Sequence, residues 1–138
     1  MVRSELELEV RYYETDQMGI VHHSNYIRYF ECGRSQLLID LGLPIEKIEA
    51  AGIVFPVVSV NAKYKYPAKM GDRIKIISTI EKVPEGAKLP VKAEIRNQDG
   101  QLLCEGVVTL GFLDAQKRTP VRCPDFIADV FRQHESNV

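Results

Sequence analysis

The sequence is poor in the residues that disulfide and metal chemistry require: it has three cysteines and three histidines in 138 residues. Cys32, Cys104 and Cys123 are odd in number and far apart, so they make neither a CxxC pair nor a balanced disulfide framework. As small apolar side chains they are expected to sit reduced in the core. His22 and His23 are adjacent, His134 is remote, and no Cys or His recurs at finger spacing, so no metal site is expected. An excess of one charge is also missing. Eighteen basic residues against nineteen acidic ones leave a formal charge of -1, which gives the chain no overall electrostatic reason to bind nucleic acid or an anionic membrane. No stretch approaches the roughly 18 uninterrupted apolar residues of a spanning helix. The first residues carry Glu5, Glu7 and Glu9 and no apolar signal region, so the expectation is a cytoplasmic protein with nothing to cleave.

What remains is the composition of an ordinary globular protein, 45% hydrophobic and 27% charged, at the size of one domain over residues 1–138. Leu6, Leu8, Val10 and Tyr12 alternate with Glu5, Glu7, Glu9 and Arg11, the period of a half-buried strand. The alternation fails from Tyr13 to His23, where Thr15, Asp16, Gly19 and His23 mark a loop. Ser24 offers a hydroxyl as N-cap. From Tyr26 to Leu41, Tyr26, Tyr29, Phe30, Gly33, Leu37, Leu38 and Leu41 follow helical spacing, with Ile27 and Ile39 widening the stripe, and Gly42 and Pro44 end it. Strands are expected around Val58–Tyr66, Asp72–Val83, Leu89–Asn97 and Leu102–Leu113, the last two joined at Asp99-Gly100. A short helix with Pro124 at its first position and Phe126, Ile127, Val130 and Phe131 on its apolar side closes the chain. The order implies an α+β fold, a five-stranded antiparallel sheet wrapped around one long helix.

The loop before the helix holds the densest set of reactive side chains. A helix N-terminus offers unpaired N–H groups and positive potential, which favour an anion or a carbonyl oxygen gaining negative charge. Asp16 is a carboxylate-bearing residue of the kind that can act as nucleophile or general base without prior activation; its alternative is a turn carboxylate bonded to N–H groups near Gly19. His23 can direct its N–H to the same space or position water, or else rest as a hydrogen-bonded, half-buried ring. Gly19 permits a tight backbone passage. Asn25 and Tyr12 can contact substrate, though fixing the loop and packing are the simpler roles. Glu31 and Arg34 are spaced as an i,i+3 pair.

The run Tyr13-Glu14-Thr15-Asp16-Gln17-Met18-Gly19-Ile20-Val21-His22-His23-Ser24-Asn25-Tyr26, followed by Phe30-Glu31 and Arg34, resembles the signature of hotdog-fold acyl-CoA thioesterases of the 4-hydroxybenzoyl-CoA thioesterase type. The chain departs from that pattern at Glu14, often a second aspartate or absent, and at Met18, commonly a small residue. The resemblance implies that Asp16 is the catalytic carboxylate, that the His23 N–H and the helix start polarise the thioester oxygen, and that Gly19 shapes the loop. It also implies an acyl-CoA substrate, no metal or bound cofactor, and a homo-oligomer, a dimer or dimer of dimers with a shared site. CoA phosphates need cations; Lys63, Lys65 and Lys69 are the first candidates and Lys88, Lys92 and Arg96 a competing set, while lysines on an edge strand also deter aggregation. Met18, Tyr29, Phe30, Phe55 and Val57 are candidates for setting acyl length. A non-catalytic acyl-CoA binding or regulatory module is the alternative from another class; a hydratase or dehydratase fits the Asp and His arrangement poorly.

Overall fold

Strand β1 (Val2–Glu9) directs Val2, Ser4, Leu6 and Leu8 to one face, and its glutamates to the other. It pairs antiparallel with β4 (Arg73–Ile80) from Val2 opposite Ile80 to Glu9 opposite Arg73. The computed structural model describes residues 1–136. β4 pairs with β5 (Lys88–Arg96), β5 with β6 (Leu102–Gly111), and β6 with β3 (Val57–Tyr64), giving one antiparallel sheet in the order β1-β4-β5-β6-β3. The β5–β6 hairpin turns where Asp99-Gly100 announces it. Gly100 takes φ +77°, and the Asn97 side-chain oxygen accepts the N–H groups of Asp99 and Gln101.

Helix α1 runs Ser24–Asp40, 17 residues, and packs against β1 and β4. Tyr26, Tyr29, Phe30, Leu37 and Leu38 are buried as the spacing requires. Gly33 sits where the helix comes nearest the sheet, because a Cβ there would lie 2.5 Å from Ile76 Cγ2 and 2.7 Å from Ser78 Oγ. The helix thus accepts the roughly 1 kcal/mol propensity loss of an interior glycine for closer packing. Gly42, at φ +75°, closes α1, with its N–H on the Ile39 carbonyl and the Leu43 N–H on that of Leu38. Then follow α2 (Ile45–Ala50), a two-stranded sheet of β2 (Ile53–Val54) and β7 (Leu113–Asp114), and α3 (Asp125–Ser136), whose Ile127, Ala128 and Phe131 enter the core.

Four expectations are corrected. The first strand stops at Glu9, and Tyr12 leaves the sheet in a short 3-10 turn (Tyr12–Glu14), 79% exposed. Ile27 and Ile39 face outward rather than widening the buried stripe. Ser24 lies within α1 instead of capping it; His23 is the preceding residue and makes no side-chain cap. Pro124 precedes α3, its carbonyl accepting the N–H groups of Ile127 and Ala128. Two of the three thiols are in the core as expected: burial pushes Cys104 and Cys123 up to about 11, while Cys32 is exposed.

Candidate active site

The segment after the 3-10 turn folds back on itself. Thr15 bridges Val21, and the Asp16 N–H donates to the Ile20 carbonyl (2.8 Å). The Asp16 carboxylate takes part in this turn: Oδ1 accepts the Met18 N–H (2.8 Å), while the Gly19 N–H donates to the Asp16 carbonyl (3.0 Å). Gly19 adopts φ +77°, a conformation that a side chain disfavours. Ile20 then bridges Lys69, and the Val21 N–H donates to the Ala68 carbonyl (2.8 Å), tying the loop to the segment before β4. The two oxygens of Asp16 differ. Oδ1 shapes the turn, and Oδ2 has no partner among the described residues. A cavity of about 550 Å³ opens here, lined by Tyr12, Thr15, Asp16, Gln17, Gly19 and Met70.

At the start of α1 most N–H groups are satisfied locally. The Asn25 N–H donates to the His22 carbonyl (2.9 Å), the Tyr26 N–H to that of His23 (3.2 Å), and the Ser24 N–H to His22 Nδ1 (3.2 Å). The His23 N–H has no acceptor among the described residues. Its ring is exposed, stacks on His22 at 4.2 Å and meets Tyr64, at the end of β3, edge-on at 6.4 Å. His23 does not line the cavity beside Asp16; the structure brings Asp16, Gly19 and Tyr12 together and holds His23 on the returning arm of the same loop.

That loop hangs on a buried acid whose position in the core the linear pattern does not reveal. Glu14 Oε1 accepts the Arg11 N–H (2.8 Å) and the Tyr29 O–H (3.0 Å), and its main-chain carbonyl accepts the His22 N–H (2.9 Å) and Asn25 Nδ2–H (2.9 Å). The Glu14 side chain thus reaches back to the N–H of Arg11, the residue before the 3-10 turn, as the acid of a capping box does, though Arg11 is not the Ser or Thr of the usual sequence signature. Burial and the nearby Glu14 charge push the Tyr29 hydroxyl far above its usual pKa, so it stays a donor. Asn25 is buried, and its side chain serves the loop backbone. Tyr26 accepts the Ala68 N–H on its hydroxyl (3.1 Å) and packs edge-on against Tyr64 at 5.3 Å.

The lysines divide. Lys63 lies opposite Glu105 in the β3–β6 ladder and lines a cleft of about 410 Å³ on the sheet with Arg3 and Lys92. Lys65 approaches the same Glu105 (3.9 Å). Lys69 stands apart in the turn before β4, its N–H on Asp72 Oδ2 (3.0 Å) and its backbone beside Ile20. None of the three lines the Asp16 cavity. Tyr29 and Phe30 are core residues and Phe55 packs on Phe112, whereas Met18 and Val57 are exposed. Glu31 is exposed on α1 and makes no ion pair with Arg34, whose pKa burial lowers.

Residues 10–131 match the model of the thioesterase-like superfamily. The chain is 37% identical over 119 residues to "Putative acyl-CoA thioesterase YneP" of Bacillus subtilis (strain 168), covering 86% of each sequence. It is 28% identical over 126 residues to "Acyl-CoA thioester hydrolase YbgC" of Escherichia coli O157:H7, covering 91% of this chain and 93% of that one. Among solved structures, a DHNA-CoA thioesterase from Staphylococcus aureus superposes with a TM-score of 0.88 at 30% identity, over 99% of this chain and 93% of the other. By its sequence over 122 consecutive positions (131 − 10 + 1) and by its fold, the chain belongs to the thioesterase-like superfamily.

Proposed function

We propose that the chain, as one hotdog domain over residues 1–138 with the sheet curled around α1, hydrolyses the thioester of an acyl-CoA to a free acid and CoA. The observation that carries this reading is Asp16: a carboxylate fixed by one oxygen in a turn, with the other oxygen unpartnered among the described residues beside a cavity of about 550 Å³, in a member of a thioesterase family. Either Asp16 Oδ2 attacks the thioester carbon, forming a mixed anhydride that water then hydrolyses, or Asp16 takes a proton from the water that attacks. In both routes the C–S bond breaks, the sulfur electron pair leaves as CoA thiolate, and the oxygen carries negative charge in the tetrahedral intermediate. The open His23 N–H is the donor for that oxyanion, and fixed backbone donors of this kind stabilise charge as it develops. The reaction draws on no metal or bound cofactor.

Tyr12 and Met70 flank Asp16 and are the surfaces offered to the acyl group, with Met18 at the loop tip. Lys63 and Lys65 bind the CoA phosphates from the sheet, with Lys69 nearer the loop. The chain works as a homo-oligomer in the cytoplasm. The supporting observation is β3, an edge strand whose Val58 and Val60 remain 52% and 40% exposed because α1 covers the other end of the sheet; a second copy removes that apolar edge from water. A non-catalytic acyl-CoA binding module is the second reading, favoured by the turn hydrogen bond that already occupies Asp16 Oδ1. Free thiol released from a panel of short, long, branched and aromatic acyl-CoAs separates the two. Release from at least one class is expected, and CoA thioester binding without release from any would refute hydrolysis.

A further inference from the structure

We propose that Glu14 is a positioning residue for this hydrolysis, holding both arms of the Asp16 loop on α1 through Tyr29. The inference rests on the reading of Asp16 and His23 given above.

Asp16 and the His23 N–H sit on opposite arms of one exposed loop, and such a segment loses conformational freedom only where bonds hold it. Glu14 supplies those bonds at both ends. Its Oε1 accepts the buried Tyr29 O–H from α1 and the Arg11 N–H from the entry to the loop. Its carbonyl accepts the His22 N–H and the Asn25 amide, fixing the returning arm directly before His23. One residue is therefore bonded to the helix, to the outgoing arm and to the returning arm, two positions from Asp16. Glu14 is itself buried and does not line the cavity, so it acts through the groups it holds. A carboxylate suits the place because one of its oxygens takes two donors and returns none. A glutamine can present its amide oxygen to the same two donors. Alanine keeps the main-chain carbonyl and its two bonds but presents no side-chain acceptor, and phenylalanine at position 29 leaves the Glu14 carboxylate with the Arg11 N–H alone.

Misplacing a reacting group by about 1 Å can cost on the order of 100-fold in rate. Steady-state thiol release is measured for wild type, Glu14→Ala, Glu14→Gln and Tyr29→Phe, at a temperature where thermal melts show each variant folded. Expected are a kcat about 10- to 100-fold lower for Glu14→Ala and Tyr29→Phe with KM close to wild type, and recovery of most of that loss in Glu14→Gln. Hydrogen exchange at the Gly19 and His22 amides should quicken in the two damaged variants and not in Glu14→Gln. A lower melting temperature with kcat unchanged, a loss confined to KM, or Glu14→Gln as impaired as Glu14→Ala would overturn the proposal. If Glu14→Ala fails to fold, Tyr29→Phe, which removes one hydroxyl, decides by the same criteria. A wild type that releases no thiol from any acyl-CoA refutes the reading of Asp16 itself, whereas an active wild type with an equally active Tyr29→Phe refutes only the positioning role.

Discussion

Asp16 can be tested with two substitutions that the turn geometry separates. In Asp16→Asn the amide oxygen can still accept the Met18 N–H at the position of Oδ1, and the new NH₂ replaces an oxygen that has no partner among the described residues. Stability should therefore stay within about 0.5 kcal/mol of wild type, the usual range for substitutions that break no buried contact. The amide can neither attack a thioester nor take a proton from water at neutral pH. A lost general base lowers kcat by about 10²–10⁴, or ~3–5 kcal/mol of barrier, and more if the covalent route operates. Asp16→Ala removes the turn bond as well, adding about 0.5–1.5 kcal/mol of destabilisation to a similar loss of rate. Thiol release and thermal melts of the two variants measure both effects. The expected pattern is two inactive proteins, of which only the alanine variant melts early. Retention by Asp16→Asn of more than about a tenth of wild-type kcat would refute the assignment and make Glu31 the next carboxylate to test.

Replacing Lys63 and Lys65 with alanine should raise KM for acyl-CoA more than it lowers kcat, since contacts remote from the reacting carbon supply uniform binding, and the effect should shrink with salt. An unchanged KM at low salt moves the role to Lys88, Lys92 and Arg96. Light scattering at micromolar concentration should find a dimer or dimer of dimers, and a stable active monomer would remove the argument from the β3 edge. Cys104 and Cys123 stay protonated in the folded chain up to about 11, while the unfolded thiols ionise near 9.0. Their contribution to stability is complete below pH 9 and is lost as pH rises toward 11. Denaturant titrations should show that decline, and Cys104→Ala with Cys123→Ala should flatten it; a slope unchanged in the double variant would exclude the thiols as its source.

Much of the architecture was legible in the linear order because the signals are local. Alternation in β1 and the 3.6-residue spacing of α1 each need only near neighbours in the chain, as does the Asp99-Gly100 turn; the helix and the turn stand within a residue or two of where the pattern puts them, while the strand ends earlier, at Glu9. The loop motif likewise pointed to the family to which the chain belongs. The exceptions concern direction and partners. Tyr12 continues the alternation on paper yet faces water, because the ladder with β4 ends at Glu9 opposite Arg73 and nothing beyond it holds the chain extended. Met70 reaches the Asp16 cavity only because Ile20 bridges Lys69, 49 positions further along (69 − 20).

Glu14 marks the boundary between the two kinds of information. A glutamate in a polar loop has no local feature that makes it buried; it is buried because Tyr29, 15 residues away, brings a hydroxyl to its carboxylate when α1 settles on the sheet. The lysines divide for a related reason. Residue type and period put Lys63 and Lys65 on one strand face, but only the pairing of β3 with β6 sets Glu105 against them and leaves Lys69 beyond the strand's end. Sequence by itself determined the elements, the turn residues and the place of the loop before α1, because these depend on backbone preference and side-chain period. Tertiary structure decided which oxygen of Asp16 stays open, which acid is buried and which cations stand together, because each depends on contacts between segments that are far apart in the chain.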